Sequence, residues 1–276
     1  MPEMKRLFFV LISLTLLVFF GCSSIEQQRN YIPVELNIIQ KINIDFLPEK
    51  CVYSSSDRTA FISEKNLNNI HIFKYGKKIN TIGGLGFENT NFHKLSDIKL
   101  APDGKLLALD CFQKKIKKID VDGQWITDLN LDLFSKPTLF DISTEETFYI
   151  YDDNRKEIVI TSTFHEDDFY SFGKFQLIQP NKLVLTKNSL VIYDTACDKT
   201  FIYDTLGQFR KELNGYIQFD KNQEYKLESH FLLHSSSGRK FAISTNTWND
   251  FFIEKNYVIL LSDNEVWIAE FIYEIR

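Results

Sequence analysis

Leu106-Leu107-Ala108-Leu109-Asp110, Phe148-Tyr149-Ile150-Tyr151-Asp152 and Leu190-Val191-Ile192-Tyr193-Asp194 are three short apolar runs, each closed by an aspartate. The aspartates stand 42 and 42 residues apart. Ten residues beyond the first and the third come Asp120 and Asp204, each ending another apolar run, and turns follow at Asp122-Gly123 and Leu206-Gly207. An earlier copy is visible as Ala60-Phe61-Ile62-Ser63-Glu64, Ile70-His71-Ile72-Phe73 and Tyr75-Gly76. Each copy reads as strand, turn, strand, Gly-containing turn, strand. No long helical pattern appears after residue 30.

A period of about 40 to 45 residues with four short strands per unit is the signature of β-propeller blades. One blade cannot bury both faces of its sheet, so neighbours must stack, and closing the ring removes the exposed ends. The composition agrees: 25 Phe and 12 Tyr against 2 Met favour half-buried pleated surfaces. The spacing places blades at about 47–90, 91–134, 135–174, 175–216 and 217–256, the fifth fitting the repeat worst. Val258–Leu261 and Val266–Tyr273 remain at one end, and Val34–Phe46, with two strand-like stretches, at the other. Joined, these ends make a sixth blade that latches the ring. Five blades with extra edge strands is the competing count. The expected fold class is therefore all-β, a propeller over residues 31–276.

Residues 92–129, with Phe92-His93-Lys94-Leu95-Ser96-Asp97-Ile98-Lys99-Leu100-Ala101-Pro102-Asp103-Gly104-Lys105 and then Ile119-Asp120-Val121-Asp122-Gly123, resemble an NHL repeat. In that pattern a strand, an Asp-Gly turn, a strand ending in Asp and a further strand before a second Asp-Gly turn follow in order. The chain is similar over residues 31–276 to the six-bladed NHL/TolB-like propeller lipoproteins of Bacteroidetes. That resemblance implies a fold and a location. Propellers of this class include binding scaffolds, lactonase-like hydrolases and lyases, so it implies no particular chemistry.

The N-terminus carries its own signal. Lys5 and Arg6 precede an apolar run from Leu7 to Phe20 that only Ser13 and Thr15 interrupt, and Gly21-Cys22-Ser23-Ser24 follows. Fourteen residues are too few for a comfortable membrane-spanning helix, which needs about 20, and suit a signal-peptide core. Gly21 before Cys22 resembles a lipobox. Residues 1–21 are therefore expected to be a signal peptide, Cys22 the lipid attachment point, with a palmitate-type acyl anchor, and residues 22–30 a polar tether. Ser23 after the cysteine, in place of aspartate, favours the outer over the inner membrane. Cys51, Cys111 and Cys197 remain, an odd number that cannot all pair internally, so no disulfide framework is expected.

Net charge is −5, and removing Glu3, Lys5 and Arg6 leaves about −6. An acidic chain without a basic stripe is a poor partner for nucleic acid. Gly-x-Ser-x-Gly, His-Glu-x-x-His and Cys-x-x-Cys are missing from the sequence. Asp110, Asp152 and Asp194 read as turn caps repeated in each blade rather than as a carboxylate ring. His230 and His234, about 13 Å apart on a strand, are too distant to share a metal. His165-Glu166-Asp167-Asp168 reads as a solvated loop between blades, and Gly83-Gly84-Leu85-Gly86 as a blade connection rather than a phosphate cradle. No metal or cofactor is implied. Asn246, Trp248 and Asn249, on a polar loop of the irregular fifth unit, are the candidate binding surface for a protein or small-molecule ligand. A non-enzymatic binding scaffold on the envelope is the leading reading. A hydrolase or lyase with a metal in the central channel is the alternative, and oligomeric state is not encoded legibly.

Overall fold

The computed structural model describes residues 31–86, 88–162, 164–165, 168–228, 230–243, 248–254 and 257–275. Cys22 and Asn246 lie outside them. The strands form six four-stranded sheets. After an N-terminal strand β1 (Tyr31–Asn43), blade 1 holds β2 (Pro48–Ser54), β3 (Thr59–Glu64), β4 (Asn69–Lys74) and β5 (Lys77–Gly83), in that spatial order. Blade 2 holds β6 (Leu95–Leu100), β7 (Leu106–Asp110), β8 (Lys115–Ile119) and β9 (Trp125–Asn130). Blade 3 holds β10 (Pro137–Ile142), β11 (Phe148–Asp152), β12 (Glu157–Thr161) and β13 (Tyr170–Phe172). Blade 4 holds β14 (Pro180–Leu185), β15 (Ser189–Asp194), β16 (Lys199–Asp204) and β17 (Phe209–Asn214). Blade 5 holds β18 (Gln218–Asp220), β19 (Gln223–Glu228), β20 (Phe231–His234) and β21 (Lys240–Ala242).

The sixth sheet settles the blade count. Its order is β1 (Tyr31–Asn43), β24 (Glu265–Ile275), β23 (Tyr257–Leu261), β22 (Asp250–Glu254), so the N-terminal strand closes a blade otherwise made by the C-terminus. Two boundaries differ from the sequence reading. Residues 250–254 belong to the closing blade rather than the fifth, because blade 5 finishes early in the three-residue β21. The N-terminal segment is one continuous strand rather than two stretches. Residues 33–272 form one compact unit, and outside it Tyr31 and Tyr273 meet edge to face at 6.0 Å.

The middle strands are apolar without alternation because each blade is covered on both faces. Every residue of β7 and of β11 is buried, whereas the outer strand β17 is exposed along most of its length. Alternate side chains of β11 divide between two cores. Phe148 and Ile150 pack with Leu107 and Leu109 of blade 2, and Tyr149 and Tyr151 pack with Leu190 and Ile192 of blade 4. Similar cores fill the seams between blades 6 and 1 and between blades 1 and 2. Truncating one such residue to alanine removes contacts on a closed ring and costs about 2–5 kcal/mol.

The repeated aspartates hold each blade's loops together. Asp110, Asp152 and Asp194 are fully buried. Asp152 accepts from the amides of Ser135 (2.6 Å) and Lys136 (3.1 Å) before β10, and from Asn154 (3.1 Å) and Arg155 (3.2 Å) in the β11–β12 turn. Asp110 does the same for His93, Lys94, Phe112 and Gln113. Asp194 accepts from Ile178, Gln179 and Ala196. Each carboxylate fastens a turn to the strand entry of its own blade, an acceptor-only role suited to aspartate. Gly83, at φ +98°, ends β5 where a Cβ would stand 2.0 Å from the Asn68 carbonyl oxygen. Only glycine fits there.

Candidate functional site

In blades 1 to 4 the first strand opens with the same irregularity, a one-residue bulge between Pro48 and Lys50, Leu95 and Asp97, Pro137 and Leu139, and Pro180 and Lys182. The first strands of successive blades touch around a central channel at the 1/2, 2/3, 3/4 and 5/6 seams. Bulges re-aim side chains. Here the four extra residues, Glu49, Ser96, Thr138 and Asn181, line one wide end of the channel, the upper mouth, with a volume near 680 Å³. Below it the channel narrows to a cavity of about 30 Å³ among Lys50, Asp97, Lys99, Lys182, Phe252 and Glu254. A second space of about 530 Å³ opens at the lower end.

The waist is crossed by paired charges, each pair joining different blades. Lys50 donates to Asp97 at 2.6 Å and to the Ser96 carbonyl at 3.0 Å. Lys99 faces Asp141 at 3.4 Å and donates to the Leu183 carbonyl at 2.9 Å, so one side chain links blades 2, 3 and 4. Lys182 of blade 4 reaches past blade 5 to Asp250 of blade 6, with its ammonium 3.9 Å above the Phe252 ring. The carboxylates are also held by backbone. Asp97 accepts from Ile98 and from Phe140 of the next blade, and Asp141 accepts from Ile142 and from Leu185 of the next. Burial pushes the Lys182 ammonium below its ordinary pKa against the pull of Asp250, and Lys50 adds to the depression. Burial acts the same way on Lys99, but Asp141, Asp97 and Glu254 outweigh it and raise that pKa. Burial, then Glu254, raises the Cys51 thiol, which makes it a poor nucleophile.

The upper mouth has a different balance. Lys65 and Lys94 are exposed on its rim, and among the described residues neither has a carboxylate partner. With Lys50 and Lys182 they bring four ammonium groups to one basin, against Glu49, Asp250 and Asp263. Among the described residues no three His, Cys, Asp or Glu side chains gather as a metal site.

The sequence-derived candidates fall in three places. Asn249 is exposed at the upper mouth and donates to Asp263 at 2.5 Å. Trp248 is buried, its ring against Trp267 at 5.0 Å, so it supports the mouth rather than lining it. His234 is buried between Ser237 (2.6 Å) and Gln223 (2.8 Å), and His230 precedes its strand. The loop with His165 and Asp168 joins β12 to β13 inside blade 3; it is not a connection between blades, and Asp168 is taken up by Ser162 and Thr161. Cys51, Cys111 and Cys197 are free thiols. Sequence reasoning missed Lys65, Lys94 and the waist pairs. The prolines that open three of the four bulged strands, at 48, 137 and 180, mark the channel mouth, but Lys65 and Lys94 stand at none of them.

No protein-family model matches the chain, and no curated protein matches it. Solved structures do. Virginiamycin B lyase from Staphylococcus aureus superposes with a TM-score of 0.54 at 13% identity, over 86% of this chain and 100% of that one. A gluconolactonase, XC5397 from Xanthomonas campestris, gives 0.57 at 10% identity, over 88% and 98%. The Swd1 propeller domain of Myceliophteria thermophila gives 0.57 at 9% identity, over 85% and 99%. The fold is a six-bladed β-propeller. Likeness at such identities establishes that architecture and nothing about chemistry.

Proposed function

We propose that this chain is a cell-envelope lipoprotein, acylated at Cys22 and placed in the outer membrane, whose propeller binds an anionic group of a ligand or partner in the upper mouth. The observation that carries the binding reading is Lys65 and Lys94, two exposed cations on a concave rim that pair with no carboxylate among the described residues, on a chain that is acidic overall. Such local inversion of charge attracts and orients an anion. The alternative of catalysis on a channel metal asks for carboxylates free to ligate, whereas Asp97, Asp141 and Asp250 already face lysines.

Titration with a hexaglutamate peptide tests the mouth. Binding is expected to weaken with added salt and to fall about fivefold with each of Lys65→Gln and Lys94→Gln, the factor that ~1 kcal/mol carries. Equal binding by wild type and the double variant would refute it. For the anchor, Cys22→Ser is expected to move the protein out of the membrane fraction, and unchanged fractionation would exclude lipidation.

A further inference from the structure

The direction of β1 fixes the end of the propeller at which the chain arrives from Cys22. β1 runs along the outside of blade 6, antiparallel to β24. Just past its C-terminal end the Ile44 amide donates to the Asn264 carbonyl at 2.9 Å, and further back Asn37 donates to Glu270 at 3.3 Å. Asn264 follows Asp263, which lines the upper mouth. Near the start of β1 the Pro33 carbonyl accepts from Arg239 at 2.7 Å, in the β20–β21 turn. That turn lies at the lower end. Lys221 and Asn222 of the β18–β19 turn line the lower space, and the antiparallel β19 and β20 run up and back down from it. β1 therefore climbs from the lower end to the upper. Pro33 stands eleven residues after Cys22, and an extended chain covers at most ~3.6 Å per residue. An acyl group on Cys22 would hold the lower end within about 40 Å of a bilayer.

The lower end carries the side chains suited to that surface. Among the described residues three Tyr or Trp side chains are exposed: Tyr75 (64%), Trp125 (40%) and Tyr170 (53%). All three stand where a blade's third strand gives way to its fourth, which is the lower side. Tyr75 is in the β4–β5 turn, Trp125 opens β9 and Tyr170 opens β13. Leu206 in the β16–β17 turn and Phe209 at the start of β17, both exposed, continue the series into blade 4. The upper end also exposes large apolar side chains, Leu47, Leu67 and Phe112 among them, but no Tyr or Trp. An aromatic ring with a polar handle is suited to the depth at which headgroups meet hydrocarbon. Three acids of these lower turns are already neutralised, Asp103 by Lys105 and Lys118, Asp122 by Lys74 and Asp204 by Arg210. Bringing them close to a zwitterionic surface strips little unpaired charge of water.

We infer that the lower rim of blades 1 to 4 rests on the lipid surface, with Tyr75, Trp125 and Tyr170 at headgroup depth, so that the upper mouth opens away from the bilayer. This rests on the lipid anchor proposed at Cys22 and adds which face the anchor draws down. Trp248 and Trp267 are buried, so Trp125 is the reporter. The acylated full-length protein is reconstituted into phosphatidylcholine vesicles with or without bromine on the acyl chains just below the headgroups, and flotation is recorded beside tryptophan emission. Bromine is expected to quench about a third of the emission, the share of one tryptophan in three. Trp125→Phe is expected to abolish that quenching. In the Trp125→Phe background, Tyr75→Trp is expected to restore it, and Leu67→Trp at the upper end to remain unquenched. Failure to float with the vesicles would overturn the anchor and this orientation together. Flotation with Trp125 unquenched, or quenching as strong at Leu67→Trp as at Tyr75→Trp, would overturn the orientation alone.

Discussion

Blades 3 and 5 perform the same architectural task with different means. Blade 3 has five-residue β11 and β12, a buried aspartate at its central turn and apolar cores on both faces. Blade 5 has three-residue strands at both edges, its second strand β19 ends in Glu228 where blade 3 has Asp152, and His234 ends its third strand. The carboxylate of Asp152 gathers four backbone amides from two loops. The imidazole of His234 reaches only side chains, Ser236, Ser237 and Gln223. A carboxylate organises backbone, and the backbone then presents the strand entry at a fixed distance from the axis. In blade 5 the residue at that place, Glu228, pairs with Lys240 instead, and β18 has little contact with β14.

Removing the fastener is the strongest way to break this contrast. Asp152→Ala leaves four amides without their acceptor in a site closed to water, an expected loss of about 3–5 kcal/mol in denaturant unfolding. His234→Ala, which orphans two neutral partners, is expected to cost about 1–3 kcal/mol. Asp152→Asn sharpens the point, because its NH₂ group would face amide donors. It should retain the shape yet still lose stability. Equal losses at the two positions would mean that the aspartate does not set the geometry.

The fold was legible where the sequence repeats. The spacing of Asp110, Asp152 and Asp194 located three blades because a backbone-binding residue at a strand end must recur with the blade. The closing blade was legible as leftover strands at both ends. Blade 5 was not, since its boundary follows from strand shortness and from Glu228 standing where blades 2 to 4 carry the aspartate. The functional surface was legible least. Asn249 reaches the upper mouth, but Trp248 is buried, since aromatic identity does not distinguish a stacking platform from a core ring. Lys65 and Lys94 lie on different blades, and the stacking of blade 1 on blade 2 brings them to one rim.

The two ion pairs around the blade 4/5 seam give a smaller contrast. The Lys182 side chain is 11% exposed and its partner Asp250 24%, whereas Lys211, which bonds Glu224 of blade 5 at 2.6 Å, is 50% exposed. Lys182→Met leaves Asp250 facing an apolar neighbour and is expected to cost about 2–3 kcal/mol, with part of that loss recovered by adding Asp250→Asn. Lys211→Met at the solvent edge is expected to change stability by no more than about 0.5 kcal/mol. A double-mutant cycle on each pair checks this, and an outer coupling equal to the inner one would mean that the seam is not spanned from within.

The smallest effect is the sensitivity to mild acid that the buried His234 gives blade 5. Burial, then the nearby Arg239, holds the His234 pKa below its ordinary value of 6.5. The folded state therefore keeps the imidazole neutral at a pH where the unfolded chain takes up a proton. Stability from this group is present above pH 6.5 and is lost as pH falls through the folded value. His71 in blade 1 shifts in the same direction, through burial that outweighs its Glu64 bond, so wild type is expected to lose stability from both on acidification. Replacing His234 by Gln, which keeps a donor and an acceptor beside Ser237 and Gln223, should lower stability at pH 8 while making its decline between pH 6.5 and 5 shallower. Denaturant titrations at pH 8, 6.5 and 5 resolve this, since His71 remains as an internal reference. An unchanged slope of stability against pH in His234→Gln would show that His234 does not release its proton preference on folding, and the acid sensitivity of the ring would then rest on blade 1.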